Sequence, residues 1–190
     1  MYKKMCLIIV LLGFSISNLF SQEITESYEI VYKNSTPTHV EFSNNGKYIV
    51  AGIYGKVRVW ETETKVYKDY SLDRVNITPD FVCFSPDDNF IATGIYGAIR
   101  VWKLNTDDFT DYKMKYKNNT PSYFSFSPDG KRIAAGVYGA VRVWNLKSGE
   151  FIDYPGKYQN DTPKFVEFSP DSHFIVAGQY GEVTTWKLTE

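Results

Sequence analysis

Four tyrosines at equivalent positions are the clearest candidates in this sequence for ligand-binding chemistry. They recur in a Gly-x-Tyr-Gly motif as Tyr54, Tyr96, Tyr138 and Tyr180. An aromatic ring that carries a hydroxyl group can stack on a sugar or a peptide and also form a hydrogen bond to it. These tyrosines are therefore our candidate ligand-binding residues. A structural role, in which each hydroxyl group reaches a carbonyl oxygen of a neighbouring loop, is the favoured alternative.

A second recurring motif, Asn-x-Thr-Pro, supplies amide groups that could contribute to the same site. Its asparagines are Asn34, Asn76, Asn118 and Asn160. Asn-x-Thr is an acceptor pattern for N-glycosylation, but Asn and Thr before Pro are also typical of a turn. We keep the four asparagines as candidate ligand-binding residues beside the tyrosines.

The sequence contains no recognisable catalytic constellation. His39 and His173 occupy different repeat positions, and neither has a cysteine, a second histidine or an aspartate pair at metal-ligand spacing. A nucleophile elbow and a phosphate-binding glycine loop are also missing from the sequence. We therefore predict no catalytic residues, no metal site and no cofactor. A hydrolase or lyase is the least favoured of the three functions considered.

Composition and charge exclude several other classes of function. The 190 residues are 43% apolar and 17% aromatic, which is typical of a globular protein. The net charge of −1 excludes a strongly basic nucleic-acid binder and argues against a polybasic membrane-binding patch. Two cysteines cannot form a disulfide scaffold.

Residues 1–22 have the pattern of a secretory signal peptide. Lys3 and Lys4 precede an apolar run from Met5 to Phe14, and polar residues follow that run. The run is shorter than the roughly 20 residues that a spanning helix needs, so we predict cleavage near Ser21 or Gln22 and no permanent membrane anchor. The predicted location is periplasmic or extracellular. Residues 23–190 then form the mature protein.

The remainder of the chain consists of four copies of one unit of 42 residues. The tryptophans Trp60, Trp102, Trp144 and Trp186 share this period with the two motifs above. The units begin near residues 36, 78, 120 and 162, and each contains four short β-rich runs separated by turn residues. One small sheet cannot bury both of its faces, so neighbouring units must stack on each other.

The third unit resembles a WD-repeat blade of a β-propeller. The resemblance is carried by the run FSPDGKRIAAGVYGAVRVWNLKSGE, from Phe126 to Glu150, and it recurs in register over residues 27–190. The Gly-His pair and the turn Asp that are usual in the family are absent. Its hydrogen-bond set of His, Ser, Asp and Trp therefore cannot be transferred, and only the tryptophans remain as structural residues.

The resemblance implies an all-β protein, a β-propeller with four four-stranded antiparallel blades per chain. In that fold the tyrosine turns and the asparagine loops lie on one face, around the mouth of the ring. The last unit ends after its third strand, and residues 26–33 align with the fourth strands of the other units. We therefore expect the N-terminal strand to complete the last blade.

Two rings satisfy this arrangement, a four-blade monomer and an eight-blade homodimer that exchanges N-terminal strands. The favoured function is an exported, non-enzymatic module that binds a protein, a peptide or a glycan. The alternative is a structural protein whose main partner is a second copy of itself.

Two further sets of charged residues recur within the blades. Fourth strands are outermost in propellers, so we expect their aspartates to be solvated edge charges. These are Asp69, Asp111 and Asp153, whereas Asp87, Asp129 and Asp171 are predicted turn residues. Arg58, Arg100 and Arg142 share a strand face with the tryptophan that follows, which favours stacking or an ion pair within the blade.

Overall fold

The computed structural model describes residues 27–28, 36–72 and 77–189. These residues form fifteen β-strands in four antiparallel sheets, with no helix among them. The sheets correspond one to one with the predicted units, and we call them blades 1 to 4. The all-β, four-blade architecture predicted from the sequence is confirmed.

Each of the first three blades has four strands that pair in chain order. Blade 1 contains β1 (Val40–Phe42), β2 (Tyr48–Ile53), β3 (Lys56–Glu61) and β4 (Tyr67–Ser71). Blade 2 contains β5 (Val82–Phe84), β6 (Phe90–Ile95), β7 (Ala98–Lys103) and β8 (Phe109–Lys113). Blade 3 contains β9 (Phe124–Phe126), β10 (Arg132–Val137), β11 (Ala140–Asn145) and β12 (Phe151–Pro155).

Blade 4 has three strands in the described part of the chain. They are β13 (Lys164–Phe168), β14 (Phe174–Gln179) and β15 (Glu182–Lys187). The N-terminal strand predicted to complete this blade lies outside the described residues except for Ser27 and Tyr28. The predicted signal peptide also lies outside them. Both therefore stay predictions.

The core consists of layers of apolar side chains between successive blades. Val57 and Val59 of blade 1 share one cluster with Val82 and Phe84 of blade 2, and blades 2 and 3 and blades 3 and 4 form equivalent clusters. Each blade therefore has a leading face, which covers the next blade, and a trailing face, which is covered by the previous one. Stacking buries both faces of the two middle blades.

The predicted structural tryptophans form part of these layers. Trp60, Trp102 and Trp144 are buried, and Trp186 is partly buried. Each of the first three has an aromatic partner opposite it on the fourth strand, as in the pairs Trp60–Tyr67 and Trp102–Phe109. Trp186 lies in the three-stranded sheet of blade 4, where the described residues provide no such partner.

A close backbone contact sets the distance between blades. The second strand of each of the first three units carries a glycine that faces the Thr-Pro loop of the next unit. The atom nearest to a Cβ built on each glycine is a proline carbonyl oxygen, 2.9 Å away for Gly52 and Pro79, 2.1 Å for Gly94 and Pro121, and 1.8 Å for Gly136 and Pro163. No side chain fits at these distances. The close approach of the next unit therefore explains why these positions are glycine.

A buried arginine joins the third and fourth strands of each complete blade. In blade 1, Arg58 is 3% exposed, and its Nε and Nη2 donate to the two carboxylate oxygens of Asp69 at 2.6 and 2.9 Å. The same bidentate pair recurs as Arg100–Asp111 and Arg142–Asp153, at 2.6 to 2.9 Å. The expected ion pair within the blade is thus confirmed.

The aspartates of these pairs were expected to be solvated edge charges without a partner, but each pairs with a buried arginine, and only Asp153 is exposed. Cross-strand register places each aspartate directly opposite its arginine, as in Arg58↔Asp69 and Arg100↔Asp111. The guanidinium group is covered on its other side by an aromatic ring of the fourth strand. The distances from Cζ to the ring centre are 3.7 Å to Tyr67, 4.0 Å to Phe109 and 3.7 Å to Phe151.

The prediction that the second set of aspartates are turn residues is confirmed. Ser85 and Ser127 donate their hydroxyl hydrogens to Asp87 and Asp129, and each carboxylate also accepts a backbone N–H two residues later in the chain. Ser169 and Asp171 repeat the arrangement in blade 4. Each carboxylate closes the hairpin between the first and second strands of its blade.

We predict that Gly136→Ala destabilises the dilute chain by at least about 2 kcal/mol, because the added methyl group would collide with the Pro163 backbone and separate blades 3 and 4. Chemical denaturation would measure the change. Gly178→Ala is the matched control at the equivalent position of blade 4. There, the only described atom within 4 Å of the Cβ is the Lys164 carbonyl oxygen, at 3.8 Å. Equal effects of the two substitutions would contradict the prediction.

We predict that Asp111→Asn lowers stability by about 2 kcal/mol at neutral pH, because Arg100 stays buried without its counter-ion. Burial opposes ionisation of Asp111, but the hydrogen bonds and charges of Arg100 and Lys113 outweigh it and hold the pKa of Asp111 below its usual 3.8. The ionised group therefore stabilises the fold above about pH 4, and this contribution is lost as the pH falls through the lower folded pKa.

Urea denaturation between pH 2 and pH 7 would test this prediction. The Asp111→Asn chain should lose less stability on acidification below pH 4 than the wild-type chain. Asp108→Asn is the control, since Asp108 is an exposed carboxylate in the same blade. A parallel pH dependence of the Asp111→Asn and wild-type chains would be evidence against a stabilising ion pair.

Candidate binding site at the tyrosine turns

The four candidate tyrosines lie in two-residue turns between the second and third strands. In blade 1 the strand pair ends at Ile53↔Lys56, which leaves Tyr54 and Gly55 as the turn. Gly55, Gly97 and Gly139 have φ between 77° and 80°, a conformation that favours glycine at the second turn position. The glycine after each tyrosine therefore allows the chain to reverse while the tyrosine side chain points outward.

The loop before the next unit holds each of the first three turns in place. The backbone N–H of Gly55 donates to the Ile77 carbonyl oxygen at 2.8 Å. Gly97 and Gly139 donate in the same way to Asn119 and Asp161, at 2.9 and 2.8 Å. The first three tyrosine turns therefore lie beside the described parts of the loops that precede units 2, 3 and 4, as the resemblance to a propeller implied.

All four tyrosines are substantially exposed. Tyr54, Tyr96 and Tyr138 are 44%, 46% and 39% exposed, and Tyr180 is 72% exposed. Asn118 and Asn160 are exposed. Each immediately precedes the loop residue whose carbonyl oxygen accepts the hydrogen bond from Gly97 or Gly139. Asn34 and Asn76 lie outside the described residues, so the structure places only two of the four candidate asparagines.

Two further tyrosines, which the sequence analysis missed, extend the aromatic surface. Tyr116 packs edge-on against Tyr138 with ring centres 5.7 Å apart, and Tyr158 packs against Tyr180 at 5.2 Å. Both are 42 residues apart at one repeat position, so the period could have revealed them. We call these two tyrosines and the four turn tyrosines the tyrosine rim.

The last turn of the rim differs from the others. Tyr180 itself has a left-handed backbone with φ of 47°. Gln179 replaces the Ile or Val of the other units, and its Nε2 donates to the carbonyl oxygens of Tyr158 and Asp161 at 2.7 and 3.3 Å. This amide fixes the loop that carries Tyr158 beneath Tyr180.

Charged groups on blades 2 to 4 flank the tyrosine rim. Lys115 Nζ donates to the Tyr138 carbonyl oxygen at 3.4 Å. Lys157 Nζ lies 2.7 Å from Glu182 Oε1, and its hydrogen bond lowers the pKa of Glu182 despite the opposing effect of desolvation. The rim thus offers aromatic faces, hydroxyl groups and both signs of charge to a ligand.

A second surface lies at the beginning of the first strands of the blades. A row of rings crosses the four blades, in the order His39, Phe81, Tyr123 and Phe165, with neighbouring ring centres 4.5 to 5.6 Å apart. Tyr123 donates to Glu167, and Ser125 donates to the same carboxylate at 2.8 Å. Burial and this carboxylate together raise the pKa of Tyr123.

Cys83 of β5 is a buried thiol. Burial raises the pKa of the Cys83 thiol well above its ordinary value, which keeps it protonated and poorly nucleophilic. Among residues 27–28, 36–72 and 77–189, no group of three or more His, Cys, Asp and Glu side chains could hold a metal ion. No helix in the same ranges is long and apolar enough to cross a membrane.

Comparison with protein families gave a match to part of the chain. The family model described as "WD domain, G-beta repeat" matches residues 118–145. This range begins in the loop that holds the Gly97 turn and continues through β9 and β10 to the end of β11. A search of curated proteins gave no match. The matched repeat and the four antiparallel sheets are consistent with a WD-repeat-like β-propeller.

Proposed function

We propose that this protein is exported and acts as a non-enzymatic module that binds a segment of another protein at the tyrosine rim. WD-repeat propellers generally serve as scaffolds for protein interactions, and the match to this family supports a partner of that class. The exported location is proposed from the leader pattern of residues 1–22 alone.

The observation that carries the proposal is the set of exposed, anchored aromatic side chains on a single face. Exposed tyrosines are common anchors of protein interfaces, because a large rigid ring buries much area and loses little side-chain entropy on binding. Tyr54, Tyr96 and Tyr138 project from turns whose glycine N–H is hydrogen bonded to the loop before the next unit. Such rigid support lowers the entropic cost of binding.

A peptide suits this surface better than a glycan. The flanking Lys115, Lys157 and Glu182 can form ion pairs with a peptide that carries both signs of charge. The same rings could stack on the faces of a sugar, so a glycan is the alternative ligand class. The two classes can be separated by a direct comparison of ligands.

We predict that the chain selects peptides from a random display library. Replacing Tyr54, Tyr96, Tyr138 and Tyr180 by Ala should lower the affinity for a selected peptide by at least about tenfold. Removing one buried aromatic anchor typically costs about 2 kcal/mol or more. Isothermal titration calorimetry would measure the affinity. The quadruple Tyr→Phe variant would separate the contribution of the hydroxyl groups from that of the rings.

Tyr67→Ala is the matched control for this experiment. Tyr67 is a half-exposed tyrosine on β4, away from the turns, and its replacement should leave the affinity unchanged. Circular dichroism would verify that all variants are folded. Unchanged affinity of the quadruple Tyr→Ala variant would place the binding site elsewhere, and binding to a glycan array without binding to peptides would favour the alternative ligand.

We predict that the full chain is exported when it is expressed in a bacterial host, and that Ile9→Asp blocks export because a charge interrupts the apolar run. Cell fractionation followed by intact mass analysis would show whether the product begins near residue 22. Ile9→Leu, which preserves the apolar run, is the control. An Ile9→Asp chain that is exported and cleaved normally would refute the leader assignment.

A further inference from the structure

The trailing face of blade 1 exposes apolar side chains that the equivalent positions of other blades bury. Val40 and Phe42 of β1 are 60% and 64% exposed. Their counterparts Val82 and Phe84 in blade 2 are 0% and 5% exposed, because blade 1 covers them. The side chains of β1 have the composition of an inter-blade interface, but the described part of the chain supplies no preceding blade for them to contact.

The leading face of blade 4 is exposed in the complementary way. Val183 of β15 is 77% exposed, whereas Val57, Ile99 and Val141 at the same repeat position are all 0% exposed. Val141 packs in one cluster with Val166 and Phe168 of the next blade. Val183 would therefore require a next blade with apolar residues at these two positions, and Val40 and Phe42 are the corresponding residues of blade 1.

The backbone contact between a glycine and the proline loop of the next unit also lacks one partner in blade 4 and one before blade 1, among the described residues. Gly52, Gly94 and Gly136 each have a proline carbonyl oxygen of the following unit within 3 Å of the position that an added methyl group would take. At Gly178, in blade 4, the described residues provide only the Lys164 carbonyl oxygen at 3.8 Å, although glycine is kept there. Pro37, in the loop before β1, has no preceding glycine strand among the described residues of its own chain.

Tyr28 adds an independent indication of what precedes blade 1. Its ring packs edge-on against Trp60 at 6.1 Å, and its hydroxyl group donates to the Thr62 carbonyl oxygen at 3.3 Å. In blade 2, Tyr112 of the fourth strand makes the same two contacts with the following blade, to Trp144 at 6.5 Å and to the Leu146 carbonyl oxygen at 2.8 Å. Tyr28 thus occupies the place of a fourth-strand tyrosine in a blade that precedes blade 1.

From these observations we propose that two copies of this chain close into one eight-blade ring. The leading face of blade 4 in each copy packs on the trailing face of blade 1 in the other, with Val183 against Val40 and Phe42 and with Gly178 against the Pro37 backbone. The two junctions are related by a two-fold axis, so both pairs of exposed faces are buried and no end remains.

A second copy fits these faces better than an unrelated protein does. Three interfaces inside the chain already join the same faces at the same repeat positions, and a second copy supplies those residues without any new surface. A single chain cannot supply them in the observed arrangement, because Val183, Val40 and Phe42 are all more than half exposed in it. The proposed junction involves the trailing face of blade 1 and the leading face of blade 4, and it is independent of ligand binding at the tyrosine rim.

Analytical ultracentrifugation of the full chain over a range of concentrations would test the proposal. One chain has a mass of 21.9 kDa. We expect a species with twice this mass. Val183→Asp and Phe42→Asp should each weaken the dimer by about tenfold or more, since each places a charge without a counter-ion in a buried junction. Val66→Asp is the matched control, because Val66 is 67% exposed on a blade 1 hairpin, and this variant should dimerise normally.

Gly178→Ala provides a second variant that adds no charge. It should weaken the dimer while the dilute chain keeps its circular dichroism spectrum, which distinguishes a blocked junction from a misfolded blade. A wild-type chain that remains a monomer at all concentrations would overturn the proposal. So would dimers of Val183→Asp and Gly178→Ala that are as stable as those of the wild type.

Discussion

The close approach of a proline carbonyl oxygen to a glycine on the second strand of the preceding unit is the constraint on which this structure depends. It brings neighbouring sheets near enough for the valine and phenylalanine layers to become dry, since a side chain at the glycine would hold the blades apart. The same loop carries the carbonyl group that accepts the hydrogen bond of the tyrosine turn. One contact therefore determines both the packing of the core and the position of the candidate binding surface.

The fold could be predicted from the sequence because every unit repeats without insertion or deletion. A 42-residue period with four β-rich runs leaves few architectures in which small sheets can cover each other, and the Val-Arg-Val-Trp strand made the resemblance to WD repeats specific. The location of the tyrosine turns and the asparagine loops on one face followed from that resemblance. Exposure of the tyrosines could not be predicted from the sequence, because the residue type does not indicate whether the side chain points outward or inward.

Contacts between strands were harder to foresee than the strands themselves. The aspartates of the fourth strands lie eleven residues after their arginines, a spacing that corresponds to opposite positions across a hairpin only once the register is known. An acidic residue on an outer strand is ordinarily solvated, so the general rule favoured the wrong assignment. The constant spacing from Arg to Asp in three units was the available signal, together with the aromatic residue that covers each guanidinium group.

Blade 4 departs from the other units at the positions where a buried ion pair would form. Thr184 replaces the arginine of the third strand, and Ser27 is the residue that would align with its aspartate partner, so both members of the pair are uncharged. A buried arginine without a carboxylate opposite it would be strongly destabilising, so a neutral residue at this position is compatible with an uncharged residue at the aligned position. Val183 and Gly178, by contrast, keep the identities that face a neighbour. The substitutions thus fall at the ion-pair positions, while the residues that would contact another blade are retained.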